Sequence, residues 1–314
     1  MAVKEICETV LYDDQWYQHT ALITINNPKQ HNSYLIDTLR GMTDAFREAM
    51  WDDKVQFVVL TGAGDKAFCT GGNVHEYAEI YTRKPSDFWK WGEAYGMVFH
   101  MIRHCGKPVI ARVNGYCAGG GFEFVLACDL AVAAEHAQFI SPGPRVGMTS
   151  VGGLSQWLPL HTSIKKAAEI VMLSQSISAE EALKLGVVNA VAPLEKLDDK
   201  VREMIDRMLT LSPASLHYYK LHLNFWRDLV WDLTWEQAKE WFSLHIGSVE
   251  PAAGLWAFKE KRKESVYPGI RKMLAEGVDG QFPYGPYMAF CERCGAKYLP
   301  SESVYCLKCG AKLK

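Results

Sequence analysis

The chain has 314 residues, enough for one large or two medium domains, and its 48% hydrophobic and 22% charged residues are the balance of a globular protein. With 34 Lys and Arg against 36 Asp and Glu the formal charge is −2, which argues against bulk nucleic-acid binding. No apolar run approaches the roughly 20 residues that span a bilayer, so no membrane association is expected. The opening residues MAVKEICETVLYDD carry acids and no apolar signal-peptide core. Of nine cysteines, Cys7, Cys69, Cys105, Cys117 and Cys128 are scattered singly in mostly apolar surroundings and read as reduced core residues, which points to the cytoplasm.

Ala21–Asn26 alternates as a strand, ended by Asn27-Pro28. Leu35, Leu39, Met42, Phe46 and Met50 recur at helical spacing. Val55–Leu60 reads as a buried strand and Ala67–Cys69 as a short one leading into Gly71-Gly72. Val74–Thr82 and Phe88–Arg103 are helical. Val109–Val113 is a strand entering a second glycine turn, Gly119–Gly121, and Phe122–Cys128 is the helix beyond it. Leu130–Ala134 is strand-like, and a turn-rich segment covers Ser141–Gly153. Ser178 and Glu181 form a capping box for a helix that stops at Gly186, followed by a short strand at Val187–Val191. From Leu197 the pattern is helical: Leu197–Leu211, Pro213–Leu229, Thr234–Ile246 and Ala252–Lys263. The strand-helix alternation of the first two-thirds implies βαβ units in an α/β fold. The chain therefore divides into a core over 1–196, a helical region over 197–276, a linker over 277–290 and a small unit over 291–314.

The small unit holds two CxxC knuckles, Cys291/Cys294 and Cys306/Cys309, eleven residues apart, each followed by a glycine. Four thiolates at this spacing suit a structural, tetrahedral zinc, with iron as the main rival. A closed four-cysteine sphere leaves no site for an activated water. Once the thiolates and a divalent ion are counted the unit is near neutral, so it reads as a folding or protein-contact module.

The two glycine turns carry most of the chemistry. A glycine run after a strand lets the backbone approach a ligand, and the free N–H groups at the next helix start point at an anion. Two such turns are expected to make together a two-donor anion hole.

The blocks INNPKQHNSY (Ile25–Tyr34), VVLTGAGDKAFCTGGN (Val58–Asn73), KPVIARVNGYCAGGGFEFVLACDLAVA (Lys107–Ala133), AQFISPGPRVG (Ala137–Gly147) and AFKEKR (Ala257–Arg262) resemble the crotonase (enoyl-CoA hydratase/isomerase) superfamily in residues and order. The resemblance implies a spiral of ββα turns with a helical trimerisation region, an acyl-CoA substrate and a homotrimer or dimer of trimers. It places the thioester oxyanion hole at the N–H groups of Gly72 and Gly120, and Lys29, Phe258 and Lys261 near the CoA nucleotide. Hydratases of the superfamily use two glutamates. Glu123 matches one, but Gly143 stands where the second belongs. Ser150 stands where the dihydroxynaphthoyl-CoA synthase branch carries an Asp. The runs Gly62–Glu79, Gly143–Arg145 and Gly152–Leu160 are most similar to the ring-opening branch, the 6-oxocyclohex-1-ene-1-carbonyl-CoA hydrolases of anaerobic aromatic degradation. That implies hydrolysis of a cyclic oxo-acyl-CoA, with Glu123 as first candidate base and His75 and Glu76 as second. Tyr34, Tyr77 and Tyr81 are candidates for the acyl pocket. A hydratase relying on Glu123 alone is the alternative.

Overall fold

The computed structural model describes residues 3–278 and 288–313. Eleven strands follow one another as β1 (Lys4–Cys7), β2 (Val10–Tyr17), β3 (Thr20–Ile25), β4 (Phe57–Gly62), β5 (Ala67–Cys69), β6 (Val109–Val113), β7 (Tyr116–Ala118), β8 (Leu130–Ala134), β9 (Gln138–Ile140), β10 (Ile177–Ser178) and β11 (Ala190–Ala192). They divide between two sheets, β1-β2-β3-β4-β6-β8-β11 and β10-β9-β7-β5. After the antiparallel start, β3, β4, β6, β8 and β11 run parallel, as do β5, β7 and β9. The chain thus lays one strand in the first sheet, the next in the second, and only then turns into a helix: β4-β5, β6-β7, β8-β9. This is the expected ββα spiral.

The helices are α1 (Ile36–Trp51), α2 (Val74–Glu79), α3 (Pro85–His104), α4 (Gly120–Ala127), α5 (Leu154–His161), α6 (Ile164–Met172), α7 (Ala179–Lys184), α8 (Leu197–Leu209), α9 (Pro213–Asp232), α10 (Trp235–His245), α11 (Val249–Lys259) and α12 (Tyr267–Ala275). All six residues of β4 are buried, as a strand covered on both faces requires. Each such Val or Leu contributes about 1.5–3 kcal/mol. One face of that first sheet carries Phe57, Val59, Ile110 and Val132 against Leu197, Val201 and Ile205 of α8. The other face belongs to the main core with α1 and α3. On α1 the buried stripe is Leu39, Met42, Phe46 and Ala49; Met50, expected on that stripe, is 42% exposed. Of the predicted capping box the Ser178 half forms, its Oγ accepting the Glu181 N–H at 3.1 Å, and Gly186 takes φ +75°.

Among the described residues no helix is long and apolar enough to cross a membrane. Most of the expected linker, residues 279–287, lies outside the described residues.

Candidate active site and four-cysteine cluster

Strands β5, β7 and β9 are parallel neighbours, so the turns that follow them open at the same end of the sheet. Those turns carry Gly71-Gly72, Gly119-Gly120 and Pro142-Gly143. The C-terminal edge of parallel strands is where open α/β sheets bind ligands. Together the turns line a cavity of about 100 Å³.

The first two turns share one device. Gly71 at φ +91° precedes Gly72, and Gly119 at φ +52° precedes Gly120. Positive φ is open to glycine at little cost, and here it turns the following N–H outward. Tyr34 forms a parallel bridge to the first turn, donating to the Gly71 carbonyl at 3.0 Å and accepting from the Asn73 N–H at 3.0 Å. That pattern leaves the Gly72 N–H facing away from Tyr34. Gly120 opens α4 and has no intrahelical partner. Neither N–H has a hydrogen-bond partner among the described residues. The turns touch, since a Cβ on Gly71 would lie 3.3 Å from the Gly120 nitrogen.

Glu123, one turn into α4, is 3% exposed. Its Oε1 accepts from Gly152 N–H at 2.9 Å and Leu154 N–H at 3.3 Å. Its Oε2 accepts from the Tyr95 hydroxyl. Burial raises its pKa above the ordinary carboxylate range, against the opposing pull of those three donors. Among the described residues lining the cavity, Glu123 is the sole carboxylate, and no histidine lines it.

Three phenols close the cavity. Tyr34, Tyr77 and Tyr95 all line it, and burial holds all three well above the ordinary phenol range. Tyr34 and Tyr77, two of the candidates for an acyl pocket, both line this cavity. Tyr81 is absent from the lining and packs on Tyr77 and Phe88, with ring centroids 6.0 and 5.0 Å away. Tyr95 was not among the expected site residues. The signal for it was the spacing Phe88, Trp91, Tyr95, Phe99, which sets one buried face of α3.

His75 does not enter the cavity. It is exposed on α2, while Val74 and Tyr77 of the same helix line the site. The 100° step between successive helical residues turns His75 away. Glu76 is half-buried with Oε2 unpaired, and Glu79 is exposed and ion-paired to Lys259. Gly143 lines the cavity, and no side chain fits there, because a Cβ would lie 2.8 Å from the Met148 carbonyl oxygen. Lys29, Phe258 and Lys261 are exposed. The loop of Lys29 is tied to the first turn through Gln30, whose side chain accepts from Asn73. The Lys259–Glu79 pair fastens the end of α11 to α2.

At the C-terminal end, the sulfurs of Cys291, Cys294, Cys306 and Cys309 lie within 4.8 Å of one another. Cys291–Cys309 and Cys294–Cys306 are separated by 3.7 and 3.6 Å. Four Zn–S bonds of about 2.3 Å in a tetrahedron put sulfurs about 3.8 Å apart, so the cluster fits such an ion. The two knuckles repeat one fold. The N–H groups of Cys291 and Cys306 donate to Ala296 and Ala311, and Gly295 and Gly310 both take φ +69°. Five other cysteines are free, four of them buried.

A family model described as Enoyl-CoA hydratase/isomerase matches residues 15–266. The chain is 31% identical to a protein of Geobacter metallireducens named 6-oxocyclohex-1-ene-1-carbonyl-CoA hydrolase, over 83% of this chain and 82% of that one. A protein of the same name from Thauera aromatica is 41% identical over 57% of this chain and 47% of its own length. An enoyl-CoA hydratase/isomerase structure from Mycobacterium paratuberculosis superposes with a TM-score of 0.75 at 24% identity, covering 81% of this chain and 99% of that chain, and so shares the fold.

Proposed function

The chain belongs to the enoyl-CoA hydratase/isomerase family, and on that footing we propose that it hydrolytically opens the ring of a cyclic oxo-acyl-CoA, 6-oxocyclohex-1-ene-1-carbonyl-CoA or a related mono- or bicyclic thioester. The observation that carries this reading is the pairing of two free glycine donors with one carboxylate, at a site where Gly143 leaves no room for a second. The names of two relatives favour the same substrate class.

The chemistry follows from where negative charge develops. In a ring ketone β to the thioester, water attacks the ketone carbon and the C–C bond to the α-carbon breaks. The electron pair leaves as a thioester enolate, with its charge on the oxygen held by Gly72 and Gly120. One such donor is worth about 2.7–4 kcal/mol in a dry site. When the α-carbon is part of an alkene, its cleavage would leave a vinyl anion, so water adds to the alkene first. That addition also gives a thioester enolate in the same hole. Glu123 is the base that takes the proton from water, and the burial that raises its pKa makes it a stronger base than an exposed carboxylate.

Lys29, Phe258 and Lys261 meet the CoA nucleotide at the mouth, supported by their exposed positions on segments tied to the first glycine turn and to α2, respectively. His75, exposed and outside the cavity, has no step in this scheme. The four cysteines hold a structural zinc, whose chemistry is to cross-link the two knuckles. Exposed apolar residues on α9, including Tyr219, Leu223 and Trp226, support assembly into a homotrimer or dimer of trimers.

The test is incubation with 6-oxocyclohex-1-ene-1-carbonyl-CoA in isotopically labelled water, followed by mass spectrometry. A ring-opened dicarboxylic mono-thioester with two water equivalents supports the reading. A product with one water and an intact ring makes the protein a hydratase. Free CoA with no ring opening overturns both.

A further inference from the structure

Ring opening needs a proton delivered to the α-carbon, beside the thioester oxygen. Glu123 Oε1 is filled by the Gly152 and Leu154 N–H groups, while Oε2 takes only the Tyr95 hydroxyl and keeps a lone pair for the proton of water; the acid so formed lies against Tyr95. The polar side-chain atoms next to the hole are phenols. A Cβ on Gly120 would lie 2.0 Å from the Tyr34 hydroxyl and 2.7 Å from that of Tyr95. A Cβ on Gly72 would lie 1.7 Å from the Tyr77 hydroxyl. The Tyr34 and Tyr95 rings stack at 5.6 Å. The Tyr34 and Tyr95 hydroxyls thus both lie beside Gly120 and the Tyr77 hydroxyl beside Gly72, and the Tyr95 hydroxyl is hydrogen-bonded to the Glu123 carboxylate.

We propose that Tyr34 is a catalytic residue that protonates the α-carbon of the enolate and is recharged from Glu123 through Tyr95. The proposal rests on the ring-opening reading above.

The steps balance as follows. Water forms a C–O bond to the ring ketone, and its proton goes to Glu123. The ring C–C bond breaks, leaving a carboxylic acid on one side and the thioester enolate on the other. Protonation of Glu123 reverses the Tyr95 hydrogen bond, since the acid now donates. Tyr34 gives its proton to the α-carbon, Tyr95 gives its proton to the Tyr34 oxygen, and Glu123 gives its proton to Tyr95. The proton from water thus ends on carbon, and Glu123 is again a carboxylate. Tyr77 donates to the Tyr34 oxygen and stabilises the charge it transiently carries. Burial keeps all three phenols protonated at rest, as donors must be.

The experiment measures two readouts on the full-length protein. One is ring opening, and the other is deuterium exchange at the α-carbon of cyclohexanecarbonyl-CoA, a saturated thioester with no ring ketone. Tyr34→Phe should bind this thioester within about threefold of wild type yet lose both readouts by about 10²-fold or more. Tyr95→Phe, which cuts the relay and leaves the Tyr34 hydroxyl in place, should lose exchange similarly and decides the matter if Tyr34→Phe does not fold. Exchange within about threefold of wild type in either folded variant overturns the proposal, as does a wild-type protein that exchanges nothing. Wild-type exchange without ring opening sinks the ring-opening reading and leaves the Tyr34 donor standing. Ring opening retained in Tyr34→Phe does the reverse.

Discussion

Gly143 and Met148 are locked together across the third turn of the site. Gly143 takes the Met148 N–H at 2.9 Å on its carbonyl, and its Cα faces the Met148 carbonyl so closely that a Cβ would stop 2.8 Å from the oxygen. The missing second acid is therefore a matter of backbone as well as of sequence. Gly143→Glu should destabilise the protein by about 1–3 kcal/mol and fail to create crotonyl-CoA hydration. Urea unfolding and a hydration assay check the two halves.

Substituting Gly72 or Gly120, the proposed oxyanion donors, should damage the chemistry more than binding. Gly120→Ala drives a methyl into the Tyr34 and Tyr95 hydroxyls, and Gly72→Ala drives one into Tyr77. Each keeps its N–H but must shift it to relieve the clash, and should lower kcat by about 10²–10³, the scale of one oxyanion donor lost. Steady-state kinetics with separate determination of thioester affinity distinguishes this from a general loss of folding.

The pH dependence follows from the buried carboxylate. Burial raises the Glu123 pKa, so the acid limb of kcat/KM should break above the ordinary carboxylate range, activity falling as pH falls through it. Stability moves the other way. A carboxyl whose pKa is raised by folding contributes stability that is full below its unfolded pKa and is lost as pH rises through the folded one. Glu123→Gln should remove the acid limb, lower the rate and flatten the stability profile over that window. A pH–rate series and a melting series on the same two proteins settle it.

The four-cysteine unit should carry one zinc per chain, measured by elemental analysis of the purified protein. Cys306→Ser should lose it, because a three-thiolate set no longer closes the sphere. Since that sphere admits no substrate, ring opening by the zinc-depleted protein should stay within about twofold of the loaded protein. A collapse of activity on chelation would place the metal in the catalytic machinery.

Much of this architecture was legible in the residues, and the exceptions have physical causes. The glycine turns announced themselves because positive φ followed by a free N–H leaves a compositional trace. The knuckles did so because metal geometry fixes their spacing. The strand β7, three residues long, has no periodicity to read and exists only because β5 and β9 flank it. The hairpin β1-β2 was missed because Asp13, Asp14 and Gln15 break the apolar alternation on an outer strand. The strand expected at Val187–Val191 begins only at Ala190, because the Val187 and Val188 N–H groups both turn back to the Ala182 carbonyl of α7. His75 shows the sharpest limit. Proximity in sequence to a glycine turn says nothing about which way a helix faces, and Tyr77, two residues on, holds the inward position.

The parallel pairing of β5 with β7 has a consequence for how such a site can diversify. Gly72 and Gly120, the proposed oxyanion donors, sit in the turns that follow adjacent strands, so their separation is governed by the inter-strand repeat of about 4.8 Å. That repeat is a fixed ruler, indifferent to the length or composition of the connecting segments. Insertions between the units can reshape the acyl chamber while the distance between the donors stays constant. Change of reaction is thereby left to the variable third turn and to the tyrosines that face it.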